Sequence, residues 1–285
     1  MNDKTCLVTG ANTGIGLETA RGLAEQGATV VMTARNRTRG EEAVADVRRT
    51  TGSDRVSLLD LDLADLASVR AAAETVTAQH DRLHVLVNNA GLMLGERRVT
   101  TDGFEMTMGV NHLGHFAFTL LLLPLIMAAA PARIVNVASA VHQATRSGLD
   151  FDDLMFERRK YTPMGAYAAS KLANIHFTRE LARRLEGRGV TVNSVHPGVV
   201  GSRFGSDGDV SKLFGRLVGI ARPFMLTPAK GARTSLHVAT SEEGGQVSGA
   251  YFAHRRQTKV SRAAQDDDAA RQLWAMSEKL TGTSA

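Results

Sequence analysis

Thr5-Cys6-Leu7-Val8-Thr9-Gly10-Ala11-Asn12-Thr13-Gly14-Ile15-Gly16 is the stretch on which the fold turns. An apolar, β-rich run at residues 5–9 leads into glycines at 10, 14 and 16, and residues 17–26 then carry apolar side chains at a spacing near 3.6. Glycines allow a tight turn and let backbone amides come close to a ligand. The helix that follows offers unpaired N–H groups and the positive end of its dipole. Strand, glycine turn and helix in immediate succession read as the pyrophosphate-binding turn of a dinucleotide fold, with Gly10, Asn12, Thr13, Gly14, Ile15 and Gly16 as its contacts. The spacing is GxxxGxG, a variant of the commoner GxGxxG.

Outward from this turn, strand-like and helix-like segments alternate to the end of the chain. Short apolar runs at residues 5–9, 29–33, 56–59, 84–87, 133–138, 190–196 and 250–252 predict about seven strands. Segments of helical period lie at 14–26, 38–50, 65–79, 103–127, 164–186 and 228–240, with a last one at 266–280 that opens on three aspartates suited to cap it. Such alternation predicts an α/β fold: a doubly wound parallel sheet with helices on both faces, one Rossmann-type domain over residues 1–285. The cofactor-binding half ends at about residue 140, and the catalytic helix and substrate loops follow. A chain of 285 residues, 43% hydrophobic and 22% charged, can bury a core of this size; the composition excludes a disordered, collagen-like or coiled-coil protein.

The second strand ends Met32-Thr33-Ala34-Arg35. In dinucleotide folds an acidic residue ~20 positions beyond the glycines binds the adenosine ribose, and an arginine nearby accommodates a 2′-phosphate instead. No carboxylate stands at that place, whereas Arg35 offers a planar fork of donors. The expected cofactor is therefore NADP(H), with Arg37 and Arg39 as helpers. If Arg35 is only a solvent-facing charge, NAD(H) would serve as well.

Tyr167-Ala168-Ala169-Ser170-Lys171 begins a long helical segment and sets Tyr167 and Lys171 on one face, one turn apart. A phenol titrates near ~10 in water, and a neighbouring ammonium lowers that value by favouring the phenolate. The pair is thus suited to proton transfer at neutral pH.

Together these stretches resemble the short-chain dehydrogenase/reductase family. The matching residues fall in the family's order: residues 9–16, Asp62-Leu63 after strand three, Asn88-Asn89-Ala90-Gly91 after strand four, Asn111, Ser139 after strand five, Tyr167 with Lys171, and Pro197-Gly198 after strand six. The resemblance implies that Ser139 orients a substrate oxygen and that Tyr167 gives it a proton, or takes one in reverse. It implies that Lys171 lowers the tyrosine pKa and holds the nicotinamide ribose, and that Asn111 holds a water linking Lys171 to solvent. Asp62 and Leu63 would touch adenine; Asn89, Ala90 and Gly91 would line the adenosine side; Pro197, Gly198 and Val200 would hold the nicotinamide amide. Asn111-His112-Leu113-Gly114-His115-Phe116 and His196-Pro197-Gly198-Val199-Val200 resemble the retinol-dehydrogenase-like subgroup, whose members act on retinoids and other lipophilic aldehydes, alcohols or ketones, mostly with NADP(H). The implied activity is an NADP(H)-dependent reductase or dehydrogenase of small lipophilic substrates. A nucleotide sensor without turnover is the alternative, and the complete Asn111, Ser139, Tyr167 and Lys171 set argues against it.

Partners and setting follow from what else the chain carries. The charge of +5 is scattered, with no aromatic stacking array among the basic residues, so no nucleic-acid partner is expected. The single cysteine, Cys6, sits in an apolar run, and the N-terminus lacks a signal-peptide pattern; a reducing, cytoplasmic setting is expected. The apolar stretch at residues 116–130 is short of the ~20 residues of a membrane span, so no transmembrane anchor is expected. That stretch and residues 171–185 are more apolar than one-sided helices need, and the resemblance implies that they pair subunits in a homodimer or homotetramer. His112 and His115 have no companion ligands, so no metal is expected and both read as packing residues. The long connections at 140–163 and 199–227 are expected to wall the substrate pocket, with Met93, Met155, Tyr161, Met164, Phe204, Phe214, Phe224 and Met225 as candidate lining.

Overall fold

The computed structural model describes residues 1–200 and 225–284. Its centre is one sheet of β1 (Thr5–Val8), β2 (Thr29–Ala34), β3 (Val56–Asp60), β4 (Val85–Asn88), β5 (Ala132–Val137), β6 (Val190–His196), β7 (Tyr251–Ala253) and β8 (Arg256–Gln257). The order is β3-β2-β1-β4-β5-β6-β7-β8, parallel except for β8. Sequence reading expects seven strands and misses β8, whose exposed Arg256 and Gln257 carry no apolar pattern.

Register explains the layers. Cys6 lies opposite Val30 and Val85, and Leu7 opposite Val31 and Leu86. Successive side chains point to opposite faces. Cys6, Val8, Val30, Met32, Val85 and Val87 pack under α1 (Gly14–Glu25), α2 (Arg37–Thr51) and α7 (Pro228–Thr240), which the short α8 (Glu242–Gln246) follows. Leu7, Val31, Leu86 and Ile134 pack under α3 (Leu66–Gln79), α5 (Gly114–Ala128) and α6 (Pro163–Arg184). Both faces are covered, so the strands read as continuous apolar runs. Each fully buried Leu or Val contributes about 1.5–3 kcal/mol relative to exposure.

A polar ladder interrupts that core. Asn88 Nδ2 donates to Asn136 Oδ1 and to Thr119 Oγ1, both at 2.8 Å, and Asn136 Nδ2 donates to Thr178 Oγ1 at 2.9 Å. This ladder ties β4 and β5 to α5 and α6. Ahead of α5, a short turn α4 (Met106–Met108) and a π turn (Gly109–Leu113) continue the same helical path.

From Met106 to Ala128 that path is long and apolar enough to cross a membrane, and 83% of its most apolar window is buried within the fold. The helical run is longer than the apolar stretch alone implies, and it is the central core helix. Its outer side and that of α6 are covered by α9 (Asp267–Thr281) of the same chain. Asp266 caps α9 by accepting from Ala269 N at 3.0 Å. Trp274 meets Phe116 edge-on at 5.0 Å and stacks on Phe177 at 6.0 Å, and Arg184 lies over its ring at 4.1 Å. Part of the apolar surface expected to pair subunits is thus covered within one chain.

The connection at residues 140–163 is built rather than loose. It holds 3-10 turns at Ala140–Ala144 and Phe151–Asp153, and Leu154 and Phe156 are buried against Met108, Ala166 and Leu273. Of the second connection, Val199, Val200, Met225 and Leu226 are described; Phe204, Phe214 and Phe224 lie outside the described residues.

Candidate active site

The strand order reverses direction between β1 and β4, and open α/β sheets bind ligands at such a crevice beyond the carboxyl ends of the strands. The turn after β1 and the turn after β4 meet there. Gly10 has φ +61°, and a Cβ on it would stand 2.8 Å from Ala90 Cβ, so no larger residue fits. Asn89 Nδ2 closes the corner by donating to the Thr9 carbonyl at 2.8 Å and the Gly10 carbonyl at 3.3 Å.

Thr13 precedes α1 without giving its amides a side-chain cap, and the first turn of α1 holds no acidic residue. The N–H groups at that end remain available to an anion, so Gly10 to Gly16 fit a dinucleotide diphosphate.

Arg35, at the end of β2, is exposed, while Arg37 beside it is engaged by Glu41 at 3.0 Å and Asp60 at 2.6 Å. Asp62 follows β3; its Oδ1 accepts from Ala64 N at 2.9 Å, and its own amide donates to Ser68 Oγ at 3.0 Å. Leu63 is buried against the start of α5, where a Cβ on Gly114 would lie 2.5 Å from the Leu63 carbonyl. On the other side, Val200 and Ile15 both pack on Gly231 of α7. The turn at Pro197 and Gly198 after β6 is thereby set beside the phosphate turn.

Tyr167 and Lys171 both stand on α6. Thr162 caps the helix and Pro163 starts it. Lys171 is 2% exposed; its Nζ donates to the Val137 carbonyl at 2.9 Å, shared with Asn174 Nδ2 at 3.3 Å. The ammonium lies over the Tyr167 ring, 5.5 Å from its centre. Ser139, just beyond β5, hydrogen-bonds the Tyr167 phenol. Its Oγ also accepts from Val141 N at 3.3 Å. A Cβ on Gly91 would stand 3.2 Å from Asn111 Oδ1 and 3.4 Å from Lys171 Nζ, so the loop after β4, the π turn and α6 converge on one point.

Burial dominates the electrostatics of the pair. It pushes the Tyr167 phenol up to about 12, against a smaller downward pull from Ser139. Burial also brings Lys171 down to about 8. Desolvation penalises the charged form of each group, so both move toward neutrality.

Asn111 is buried in the π turn. Its Oδ1 accepts from Leu92 N at 2.8 Å, and its Nδ2 donates to the Leu92 carbonyl at 3.0 Å and to Ser170 Oγ at 2.9 Å. The side chain clamps a loop to a helix, so the link to a water would fall to its backbone.

A family model described as enoyl-(acyl carrier protein) reductase matches residues 10–215. Retinol dehydrogenase 12 of Homo sapiens is 46% identical over 279 residues, 98% of this chain and 86% of that protein. The chain belongs to the short-chain dehydrogenase/reductase family. Retinol dehydrogenase 13 of Homo sapiens is 43% identical over 285 residues, 99% of this chain and 86% of that one. Among solved structures, an uncharacterised protein of Mycobacterium paratuberculosis has a TM-score of 0.79 at 37% identity, covering 99% of this chain and 94% of its own. The Pseudomonas aeruginosa RhlG/NADP active-site complex has a TM-score of 0.71 at 26% identity, covering 89% and 95%.

In this short-chain dehydrogenase/reductase several groups around the site escape sequence reading. His142 donates from Nδ1 to the Ser139 carbonyl at 2.7 Å and accepts from Ser261 N at 3.2 Å through Nε2. His115 lies between Thr9 and Asn111. A histidine four positions after Asn111 on a helix is the only sequence signal for that contact. Tyr161, a candidate wall, donates to the Leu94 carbonyl at 3.2 Å and pins its loop. Met93 is buried, whereas Met164 is 44% and Val199 66% exposed at the site's rim. Among the described residues no group of three or more His, Cys, Asp or Glu is placed to hold a metal ion.

Proposed function

We propose that the chain is an NADP(H)-dependent oxidoreductase that moves a hydride between nicotinamide and a small lipophilic carbonyl or alcohol, acting as an aldehyde or ketone reductase and, in reverse, an alcohol dehydrogenase. The observation that carries this reading is the convergence of Ser139, Tyr167 and Lys171 at the carboxyl ends of the central strands.

When bound, the cofactor supplies the hydride. Ser139 holds the substrate oxygen, and Tyr167, protonated at neutral pH because burial raises its pKa, gives that oxygen a proton. Hydride on carbon and proton on oxygen together make the alcohol. Lys171, still largely charged at pH 7 with a pKa near 8, stabilises negative charge on the phenol as the proton leaves. Asn111 positions the helix through Ser170, whose Oγ donates to the Tyr167 carbonyl at 2.8 Å. Exposed Arg35 would meet a 2′-phosphate. The retinol dehydrogenases among the relatives, and exposed Met164 and Val199, support a lipophilic substrate. The single cysteine, Cys6, is buried and free, which fits a reducing, cytoplasmic setting.

The test is NADPH oxidation by the purified chain against aldehydes, retinoids, steroids and polycyclic ketones, repeated with NADH and with Tyr167→Phe. Turnover that vanishes in the variant while NADPH still binds supports the proposal. A Tyr167→Phe protein that keeps wild-type turnover sinks it.

A further inference from the structure

We propose that His115 is a positioning residue that couples the phosphate turn to the catalytic helix, its imidazole holding the Thr9 hydroxyl on one side and the Asn111 carbonyl on the other. The role rests on the nicotinamide-dependent reaction proposed above.

Hydrogen-bond counting gives the ring one orientation of its proton. Thr9 Oγ1 accepts from Asn89 N at 2.8 Å and from Ala90 N at 3.0 Å, which occupies both of its lone pairs. Its single proton then goes to His115 Nε2 at 2.8 Å in preference to the Val87 carbonyl at 3.4 Å. Nε2 is therefore the acceptor and Nδ1 carries the hydrogen, which it donates to the Asn111 carbonyl at 3.2 Å. Full burial keeps the ring neutral, with its pKa down to about 4 and the Lys171 charge pulling the same way.

Both ends of this bridge reach the site. Asn89 and Ala90 shape the turn that closes over Gly10. Asn111 lies in the π turn Gly109–Leu113, a rare widening that recurs at functional sites. From Asn111 the side chain runs to Ser170, and Ser170 to the Tyr167 carbonyl. A phenylalanine at 115 would fill the same space but leave the Thr9 proton and the Asn111 carbonyl without this partner. The π turn could then drift relative to the phosphate turn, and small drifts of positioning groups are costly to rate.

Asparagine at 115 places an amide donor near the Nδ1 position and so keeps the Asn111 contact, while glutamine places an acceptor near Nε2 and keeps the Thr9 contact. With NADPH and octanal as probes, His115→Phe is expected to lower kcat by up to about 100-fold and to weaken NADPH binding, read by fluorescence. His115→Asn should restore kcat more than affinity, and His115→Gln affinity more than kcat. The idea is overturned if His115→Phe stays within about twofold of wild type in both, or if all three variants lose both to the same extent. Should the phenylalanine variant not fold, Thr9→Val against Thr9→Ser reads the same bridge, since only serine keeps the hydroxyl; equal NADPH affinity in these two overturns it. Nitrogen-15 NMR of the histidine rings in the cofactor-free protein separates this inference from the reaction itself. A neutral Nδ1–H ring that does not titrate between pH 5 and 8 is expected; an Nε2–H ring, or titration in that range, overturns the bridge whether or not the protein turns over a carbonyl.

Discussion

Lys171 Nζ stands over the Tyr167 ring, 5.5 Å from its centre, while donating to the Val137 carbonyl at 2.9 Å. The ammonium is thus tethered to the last residue of β5, two positions before Ser139, and burial drives lysine and tyrosine toward their neutral forms from opposite sides. The phenol is held at about 12 and the amine at about 8.

A pH signature follows from those directions. Carbonyl reduction uses protonated Tyr167 and charged Lys171, both present below pH 8. The reductive kcat should be flat up to about pH 8 and fall by up to about tenfold per unit above it. Alcohol oxidation, which needs the phenol to lose its proton while Lys171 stays charged, should rise with pH up to about 8 and level off above it. Stopped-flow rates in both directions check this; a reductive rate that climbs between pH 8 and 10 would remove the role given to Lys171.

Cofactor choice should reside in one guanidinium. Arg37 is tied to Glu41 and Asp60, whereas Arg35 is exposed beside it. A hydrogen bond to a charged group is worth about 1.5–3 kcal/mol, or roughly 10-fold to 100-fold. Arg35→Ser should lower kcat/KM for NADPH by that factor, leave NADH nearly unchanged, and exceed the effect of Arg37→Ser. Equal losses with both cofactors would count against the 2′-phosphate contact.

Packing of α9 should decide stability and assembly. Trp274 is buried between Phe116, Phe177 and Arg184. Trp274→Ala should cost about 3–5 kcal/mol in urea unfolding. Because α9 covers α5 and α6, light scattering should find a 30.5 kDa particle. A larger particle whose cross-links join α5 and α6 of two copies would show that α9 leaves that face.

Acid should destabilise the protein before its carboxylates titrate. His112, His115 and His176 are buried, with pKa values pushed down to about 3, 4 and 4 from 6.5 by desolvation. The unfolded chain takes up these protons near pH 6.5 and the folded chain does not until about 4 or below. Stability is therefore full above 6.5 and falls as pH drops through 6.5 toward 4, by up to about 1.4 kcal/mol per pH unit for each ring. Urea midpoints at pH 7.5 and 5.0 test the sign, and His176→Leu should shrink the difference. A midpoint unchanged across that range would mean that the rings can charge in place.

The amino-acid sequence alone determined the alternation of strand and helix, the glycine turn after β1 and the placing of Tyr167 and Lys171 one turn apart on a helix. Each is a local signal: period, turn chemistry, or two residues one helical turn apart. Segment 190–196 coincides with β6 and segment 228–240 with α7 for that reason. Tertiary structure decided what depends on surroundings. Where a phenol titrates depends on how far water is excluded from it, and burial sets the direction for Tyr167. How much of an apolar helix is covered by its own chain depends on where a distant segment docks, and α9 docks on α5 and α6. His115 read as a packing residue because its partners lie 106 positions away in Thr9 and one turn back in a backbone carbonyl. Side-chain spacing along the sequence carries neither contact; only folding brings those atoms within hydrogen-bond reach.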